Sequence, residues 1–353
     1  MNRVLIFLPG IMGSCLRVAG GDNLWYEDYG DSLSQIVKNP GLIKFNPHSS
    51  LEAYDIVAHG KIWLFPKKEI YGSFRQFLQK LPGYQYADFP YDWREDICHT
   101  SRKFGVWLAR FGFQVDENDR QREESEPRLN IIGHSMGGLV ASLALLYGHV
   151  HPGNVERLIT IGTPFFGSPA SFKSLFSTGY LSGMNLMERA LNLRWNRRKS
   201  RQALLEAMQS FTSIYELMPP VTERFVDLPG GQTINPLDHN VGNNAAKQAA
   251  MAVHLDLDQL PHLFKAHPRL KHFFIYGDDS ENTDRLYSAS IANSGLSYEA
   301  IDCFRQTDGD GTVSVRSASV CTSPLNRTPV VGAEHAFMCA DPRVQGLVAA
   351  YLT

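Results

Sequence analysis

The chain has 353 residues, of which 43% are hydrophobic, and this is enough to bury the core of one large α/β domain with an insertion. A formal net charge of −2 excludes the strongly basic surface typical of nucleic-acid-binding proteins, so no nucleic-acid partner is expected. No stretch of about 18 apolar residues occurs, which predicts that the chain has no transmembrane helix.

The first predicted element is a strand at residues 3–8 (RVLIFL). A continuous apolar run of this kind is typical of a strand buried on both faces of a parallel sheet. The run is too short for a signal peptide and ends at Pro9-Gly10. The five cysteines are widely spaced without a metal-ligand pattern, which favours reduced thiols. We therefore expect a cytoplasmic protein.

Strand and helix patterns then alternate along the chain. Strands are predicted at 84–89, 129–132 and 155–161, and helices at 95–112 and 139–147. This order predicts right-handed βαβ units and a mostly parallel sheet flanked by helices. The alternation resumes late in the chain, with strands at 271–276 and 328–331 and a closing helix at 341–352.

The strongest chemical signal is Gly133-His134-Ser135-Met136-Gly137, a G-x-S-x-G motif between a predicted strand and a predicted helix. Such a sharp turn projects the serine hydroxyl above the sheet and needs small residues on either side. The motif predicts the nucleophile elbow of an α/β-hydrolase fold, with Ser135 as nucleophile and the Met136 amide in the oxyanion hole. We expect His134 to point away from the site and to serve in packing.

The nucleophile of this fold works with an acid and a histidine base that follow it in the chain. His335, just after the last predicted strand, is the candidate base. The acid is either Asp310, in the glycine-flanked turn 308–313 (DGDGTV), or Asp278, after the strand at 271–276. Spacing alone does not choose between the two aspartates.

The second oxyanion donor comes from the loop after an early strand. Residues 8–13 (LPGIMG) are that loop, which makes the Ile11 amide the candidate donor. A plain Pro-Gly turn is the alternative interpretation.

These elements predict an α/β-hydrolase core that is interrupted twice. Residues 1–164 are the first part of the core, with a lid-like insertion at 22–83. Residues 165–265 are a largely helical cap, and residues 266–353 are the remainder of the core.

Several stretches together are far more specific than the elbow: LPGIMGS (8–14), FPYDWR (89–94), GHSMGG (133–138), GTPFFGS (162–168), SIYELMP (213–219), YGDDSENT (276–283), DGDGTV (308–313) and EHAFM (334–338). In these stretches the chain resembles the lecithin:cholesterol acyltransferase-like family, which includes lysosomal phospholipase A2 and phospholipid:diacylglycerol acyltransferases. The resemblance covers nearly the whole chain. Residues 22–93 contain no cysteine, unlike secreted relatives, so the chain looks like a bacterial-type intracellular member.

The resemblance also implies roles for individual residues. Asp310, the second aspartate of the D-G-D-x-T-V motif, corresponds to the catalytic acid, which demotes Asp278. Ile11 corresponds to the residue that supplies an oxyanion amide. Asp92 and Arg94 look like a structural charge pair.

The predicted function is a serine-dependent lipid acyl hydrolase or O-acyltransferase that acts on phospholipid or other long-chain acyl esters through an acyl-enzyme on Ser135. One alternative is a soluble carboxylesterase or thioesterase of the same fold. An alternative of another class is a non-catalytic hydrolase-fold binding protein. No metal-ligating pattern such as H-E-x-x-H occurs, and we predict no cofactor and no metal. The sequence does not indicate a protein partner.

Two groups of residues are candidates for contact with lipid. Residues 194–201 (RWNRRKSR) hold five basic residues, which can dock on an anionic membrane surface or form a solvated face. The second group consists of aromatic residues in the insertion and the cap, for which three roles are open: lining an acyl tunnel, touching a bilayer or packing in the core. The residues are Trp25, Trp63, Phe65, Phe165, Phe166, Phe172 and Phe176.

Overall fold

The structure is a computed structural model. It describes residues 3–28, 32, 36, 39–46, 51–60, 68–112, 129–175, 197–228, 231–238, 243–278, 280–288, 301–319 and 326–353. The strands are β1 (Arg3–Leu8), β2 (Ser14–Val18), β3 (Asn23–Trp25), β4 (Leu51–Ile56), β5 (His59–Gly60), β6 (Lys68–Glu69), β7 (Tyr84–Asp88), β8 (Leu129–His134), β9 (Val155–Ile161), β10 (Val226–Asp227), β11 (Thr233–Ile234), β12 (Lys271–Asp278), β13 (Ser280–Ser288), β14 (Ile301–Gly309) and β15 (Arg327–Val331).

The α-helices alternate with these strands and fill the segment between β9 and β12. They are α1 (Gly72–Gln79), α2 (Ile97–Leu108), α3 (Met136–Leu146), α4 (Pro169–Ser174), α5 (Arg197–Met208), α6 (Thr212–Glu216), α7 (Asn244–Leu257), α8 (Leu260–Ala266), α9 (Val315–Ala318) and α10 (Pro342–Leu352). Short 3-10 turns lie at Pro40–Ile43, Ala109–Phe111, Pro152–Asn154, Pro236–Asp238 and His335–Ala340.

A central sheet of six parallel strands runs in the order β15-β12-β9-β8-β1-β7. Every residue of β8 is buried, and β1 is buried from its second residue onward. Alternate β1 residues enter the two cores, with Val4, Ile6 and Leu8 on one side and Leu5 and Phe7 on the other. Burial on both faces explains why β1 is a continuous apolar run, and the predicted strands and fold class are confirmed.

Helices cover both faces of the sheet. On one face α2 and α3 pack against β1 and β8, and α3 is buried along nearly its whole length. On the other face α1 and α10 contribute Phe74, Leu78, Val344 and Val348 to the second core. This is the three-layer α/β arrangement that the alternating pattern predicts.

Part of the predicted insertion at 22–83 belongs to a small sheet whose central strand, β2, precedes the insertion. Strands β2, β3 and β4 form an antiparallel sheet in the order β3-β2-β4, and β5 and β6 form a hairpin. The last part of the insertion is α1, which belongs to the main core. A lid function for this segment stays a prediction.

The cap region is mainly helical, as predicted, but a second sheet crosses its boundary. Strands β10 and β11 of the cap pair with the long hairpin β13–β14 in the order β11-β10-β13-β14. The sequence analysis missed this sheet because two of its strands are two residues long and β13 reads SENTDRLYS, without apolar alternation. The domain boundaries themselves stay predictions.

Helix α6 of the cap is fixed to the core by two buried hydrogen bonds. The Ile97 amide at the start of α2 donates to Glu216 Oε2 at 2.8 Å, and Ser213 Oγ donates to the Trp93 carbonyl at 2.6 Å. The Glu216 side chain is fully buried, and burial followed by the neighbouring Asp96 carboxylate raises its pKa well above the usual range. The buried position of Glu216 therefore favours its neutral, protonated form.

Asp96, Cys98 and Glu216 are a group of possible metal ligands, whose ligand atoms lie within 4.8 Å of one another. Burial raises the pKa of Cys98 to about 12. Each of the three groups has a partner in the protein. Asp96 Oδ1 accepts from the His99 amide at 2.8 Å, Cys98 Sγ lies 3.2 Å from Tyr147 Oη, and Glu216 Oε2 accepts from the Ile97 amide.

Asp92 and Arg94 form the charge pair that the family resemblance implies. Arg94 Nη2 lies 2.5 Å from Asp92 Oδ2, and the Arg94 side chain is fully buried. Arg94 Nη1 also donates to the Ile43 carbonyl at 3.0 Å. The pair therefore ties the segment after β7 to the 3-10 turn at Pro40–Ile43.

The sequence predicts no transmembrane helix and reduced cysteines, and the described residues bear on both expectations. No helix among them has both the length and the apolar character needed to cross a bilayer. Cys15, Cys98 and Cys339 are free thiols in the part of the chain that the structure describes.

The neutral state of Glu216 makes a prediction for stability. The contribution of Glu216 to the free energy of unfolding should fall as pH rises above about 4.3, where this carboxyl ionises in the unfolded state but stays protonated in the folded state. Glu216→Gln needs no proton, so its advantage over wild type should grow from pH 5 to pH 8 in urea unfolding. The exposed Glu206→Gln is the control. A Glu216→Gln effect that is independent of pH would show that Glu216 is ionised when folded.

Candidate active site

Ser135 stands on the sharp turn between β8 and α3. Its backbone has φ 52° and ψ −126°, and among the described residues the only other non-glycine with positive φ is Met12, in the loop after β1. The turn is held by a hydrogen bond from the Ser135 amide to the Ile161 carbonyl at 2.8 Å. Strain of this kind at a serine after a buried strand is the geometry of a nucleophile elbow.

Glycine at position 137 is required by close approach. A Cβ at Gly137 would lie 2.3 Å from the Leu8 carbonyl oxygen and 2.6 Å from that of Pro9. Helix α3 therefore starts in direct contact with the end of β1, and this contact places Ser135 beside the loop that follows β1.

The structure brings Ser135, His335 and Asp310 together in one hydrogen-bonded chain. His335 Nε2 lies 2.9 Å from Ser135 Oγ, and His335 Nδ1 lies 2.6 Å from Asp310 Oδ2. Because a carboxylate accepts, the ring proton is on Nδ1 and Nε2 accepts from the serine hydroxyl. All three residues lie at or just beyond the ends of strands, Ser135 after β8, Asp310 after β14 and His335 after β15.

The turn after β14 fixes the Asp310 carboxylate. Its Oδ1 accepts from the Thr312 amide at 3.0 Å and the Val313 amide at 2.7 Å, which leaves Oδ2 for the histidine. The His335 amide in turn donates to the Asp310 carbonyl at 2.9 Å. A Cβ at Gly277 in β12 would lie 2.5 Å from Asp310 Cβ, so only glycine lets Asp310 sit against that strand.

Asp278, the competing acid, takes a different place. It is the last residue of β12, pairs with Val331 of β15, and accepts a hydrogen bond at its main-chain carbonyl from Gly332 at 2.8 Å. The hydrogen bond from His335 Nδ1 goes to Asp310. The geometry therefore favours the acid that the family resemblance implies.

The loop after β1, which carries Ile11, and the first residue of β2 are held by three aromatic side chains, one from β3 and two from the segment after β7. Tyr91 Oη donates to the Pro9 carbonyl at 2.5 Å, Trp25 Nε1 to the Met12 carbonyl at 2.9 Å, and Trp93 Nε1 to the Ser14 carbonyl at 3.0 Å. Each aromatic ring is buried and uses its single polar atom on the loop backbone. The loop is therefore preorganised rather than a plain Pro-Gly turn.

The two amides assigned to the oxyanion hole belong to Ile11 in this loop and Met136 at the first turn of α3. In the part of the chain that the structure describes, neither amide donates to another protein group. Both are thus open donors next to the turn that carries Ser135, as an oxyanion hole needs.

Sequence reasoning missed the role of Tyr91 and Trp93. It treated FPYDWR as a family stretch and assigned a structural role only to its charged residues. The available signal was that a tyrosine hydroxyl and a tryptophan N–H inside a core each need a hydrogen-bond acceptor. The sequence could not say that the partner is the oxyanion loop, because the bonds span 82 and 79 residues.

The candidate lipid-contact residues divide into two groups. Trp25, Phe165 and Phe172 belong to the hydrophobic core and are at most 3% exposed. Phe166 is half-buried, with the Arg316 guanidinium over its ring. Trp63, Phe65 and Phe176 lie outside the described residues. In the basic segment, 197–201 begin α5 and 194–196 lie outside the described residues, and the structure describes none of these side chains.

Comparison with known proteins gives two similarities in sequence. The profile of a PGAP1-like alpha/beta domain matches residues 112–212, which include β8, Ser135, α3 and β9. "Lecithin-cholesterol acyltransferase-like 4" from Arabidopsis thaliana is 24% identical over 416 aligned residues, which cover 98% of this chain and 74% of that protein. These similarities support a relationship to lecithin-cholesterol acyltransferase-like proteins. Together with the fold, they support an ester hydrolase or acyltransferase, as the sequence predicts.

A solved structure agrees with the fold. The crystal structure of the Tle4-Tli4 complex superposes with a TM-score of 0.53 at 12% identity, over 99% of this chain and 98% of the other. The mature Bacillus licheniformis lipase BlEst2 gives a TM-score of 0.43 at 13% identity, over 99% and 92% of the two chains.

The aromatic anchors of the oxyanion loop make a prediction for catalysis. Tyr91→Phe removes the bond to the Pro9 carbonyl, so the loop loses one anchor, and we expect kcat/KM on a p-nitrophenyl ester to fall about fivefold, the equivalent of ~1 kcal/mol. Tyr84→Phe is the matched control, because Tyr84 Oη donates to the Leu352 carbonyl at 2.6 Å, at the sheet edge away from Ser135. Equal kcat/KM losses in the two variants would show that the Tyr91 anchor does not set the site geometry.

Proposed function

We propose that the protein is a serine-dependent lipid acyl hydrolase or O-acyltransferase, which acts on phospholipid or other long-chain acyl esters through an acyl-enzyme on Ser135. The observation that carries the proposal is the continuous chain of hydrogen bonds from Ser135 through His335 to Asp310. A hydrolase-fold protein that only binds a ligand has no need of this aligned chain.

In the first half-reaction Ser135 Oγ attacks the ester carbonyl carbon while His335 Nε2 takes the hydroxyl proton. The carbonyl oxygen becomes an oxyanion, which the amides of Ile11 and Met136 bind. The positive end of the α3 dipole faces the same charge. The intermediate collapses, the bond to the alcohol oxygen breaks, and His335 Nε2 returns the proton to that oxygen.

In the second half-reaction water or an acceptor alcohol enters where the first alcohol left. His335 Nε2 takes the proton of the water or alcohol, while the oxygen of that molecule attacks the carbonyl carbon of the acyl-enzyme. Collapse of the second intermediate releases a fatty acid or a new ester and returns the proton to Ser135. Asp310 keeps the ring proton on Nδ1 throughout and stabilises the imidazolium.

A lipid substrate is supported by two observations. The relative that covers nearly the whole chain carries the name of an acyltransferase of lecithin and cholesterol. The basic segment 194–201 can be attracted to an anionic lipid surface, with a binding free energy of about 1 kcal/mol for each basic residue near that surface. Burial of an acyl chain in the protein would add roughly 0.8 kcal/mol per methylene.

The assignment of the acid is tested by comparing two aspartates. Asp310→Asn should lower kcat on a p-nitrophenyl ester by a factor on the order of 10³ to 10⁴, because the imidazole loses the carboxylate that sets its tautomer. Asp278→Asn should retain most of the wild-type kcat. The measurement is steady-state kinetics together with the rate of labelling by a fluorophosphonate probe.

Ser135→Ala is the blank for both measurements, since it lacks the nucleophile. Circular dichroism checks that each variant is folded. A dead Asp278→Asn beside an active Asp310→Asn would reverse the assignment, and probe labelling that survives in Ser135→Ala would overturn the proposed mechanism.

The substrate class is tested by comparing vesicles of long-chain anionic glycerophospholipid with a short p-nitrophenyl ester, each at low and high salt. We expect faster turnover of the vesicles, with an attraction that weakens at high salt because it is electrostatic. Charge reversal at Arg197, Arg198 and Lys199 should weaken activity on vesicles and leave turnover of the short ester unchanged. Mass spectrometry of the products distinguishes hydrolysis from transfer.

Other outcomes have definite meanings. Equal or faster turnover of the short ester would identify a soluble carboxylesterase or thioesterase. Lipid activity that is insensitive to salt and to charge reversal would keep the lipid substrate and discard the basic segment. Lipid binding without turnover of either substrate would identify a non-catalytic binding protein.

A further inference from the structure

His134, the residue before the nucleophile, takes part in a buried hydrogen-bonded chain that the reaction scheme above does not use. Its Nδ1 lies 2.7 Å from Tyr71 Oη, and its Nε2 lies 3.0 Å from the main-chain carbonyl oxygen of His335. Tyr71 Oη also lies 3.0 Å from the amide nitrogen of Gly10. His134 and Tyr71 are each 3% exposed, so water does not compete for these bonds.

The direction of each bond follows from its ends. The His335 carbonyl can only accept, so Nε2 of His134 carries the proton. In a neutral ring Nδ1 then accepts, and the Tyr71 hydroxyl donates to it. The Tyr71 oxygen keeps a lone pair for the Gly10 amide. Each group has its partner, and only this one tautomer satisfies them all.

Burial keeps the ring neutral. It lowers the pKa of His134 well below the usual value, and the nearby His335 lowers it further, while the bond to the His335 carbonyl acts in the opposite direction. Burial likewise raises the pKa of Tyr71, so its hydroxyl keeps its proton. A neutral ring matters here because the rings of His134 and His335 are 5.0 Å apart, and a second cation would oppose the imidazolium that forms during catalysis.

We propose that His134 and Tyr71 are positioning residues that join the main chain of the base His335 to the oxyanion loop at Gly10. One end of the chain fixes the peptide unit of the residue that moves the proton. The other end fixes the amide next to Ile11, which binds the oxyanion. The two halves of the site, which the chain supplies from positions 200 residues apart or more, are thereby held at one separation. The inference rests on the proposed function.

The tautomer is tested by nuclear magnetic resonance of protein labelled with ¹⁵N-histidine, with the His134→Gln spectrum used to assign the His134 signals. We expect the proton of His134 on Nε2, a bonded lone pair at Nδ1, and no titration between about pH 5.5 and pH 8, across the usual histidine range. A proton on Nδ1, or titration within that range, would overturn the proposal whatever the activity of the protein.

The kinetic role is tested with two substitutions of His134. The amide of His134→Gln offers one acceptor and one donor, as the neutral ring does, and should keep kcat on a p-nitrophenyl ester within about threefold. His134→Leu offers neither, and we expect kcat to fall about tenfold or more while KM changes less than twofold, because the substrate pocket is untouched. The fluorophosphonate labelling rate should fall in parallel.

Coupling along the chain is tested with Tyr71→Phe and the double variant. If the two residues act as one unit, the double variant should be no slower than the slower single variant. His272→Leu is the matched control for loss of a buried histidine. Its ring is 2% exposed, bonds Thr160 Oγ1 at 3.1 Å, and lies at the start of β12, away from the ends of the strands where the site is. It should lose stability and keep kcat.

The outcomes separate the two proposals. An active wild type whose kcat is unchanged in His134→Leu and Tyr71→Phe would overturn the positioning role and leave the proposed function standing. Independent, multiplying losses in the double variant would overturn the coupling. If His134→Leu does not fold, His134→Gln and the resonance experiment still decide. A wild type whose turnover and labelling equal those of Ser135→Ala would instead overturn the proposed function.

Discussion

The site depends on how closely the start of α3 approaches the end of β1. The carbonyls of Leu8 and Pro9 lie where a side chain at Gly137 would be, so the two backbones are in van der Waals contact. This contact, together with the bond from the Ser135 amide to β9, forces Ser135 into a positive φ. Strain at the nucleophile and proximity of the oxyanion loop are therefore two results of one packing constraint, and the dense core around β1 and β8 sustains both.

The acid and the base reach this point from different layers. His335 follows β15 at the edge of the central sheet, whereas Asp310 follows β14, which belongs to the second sheet. The two are joined side chain to side chain and also main chain to main chain, through the His335 amide and the Asp310 carbonyl. The second sheet thus has a role in the site, because its hairpin places the Asp310 carboxylate next to the His335 imidazole.

The sequence predicts the parts of the molecule that rest on local patterns. The strand at 3–8 is an apolar run that buries both faces, and the elbow is a contiguous motif. The choice between Asp278 and Asp310 could not be made from spacing, because it depends on the path of β14. The aromatic anchors were missed for the same reason. The sequence indicates that the hydroxyl of a buried Tyr91 needs a hydrogen-bond partner, but it does not indicate which carbonyl is that partner. The domain boundaries and the catalytic roles stay predictions and proposals.

The anchoring of the oxyanion loop by distant aromatic residues links chemistry to the integrity of the whole fold. The bonds to Gly10, Pro9 and Ser14 come from side chains 61, 82 and 79 residues away, so the loop has its shape only when β7 and the segment after it are docked. A fragment or a partly folded chain that contains the elbow lacks these bonds to the loop. Under the proposed mechanism, turnover of an ester therefore reports on complete folding rather than on the presence of the motif.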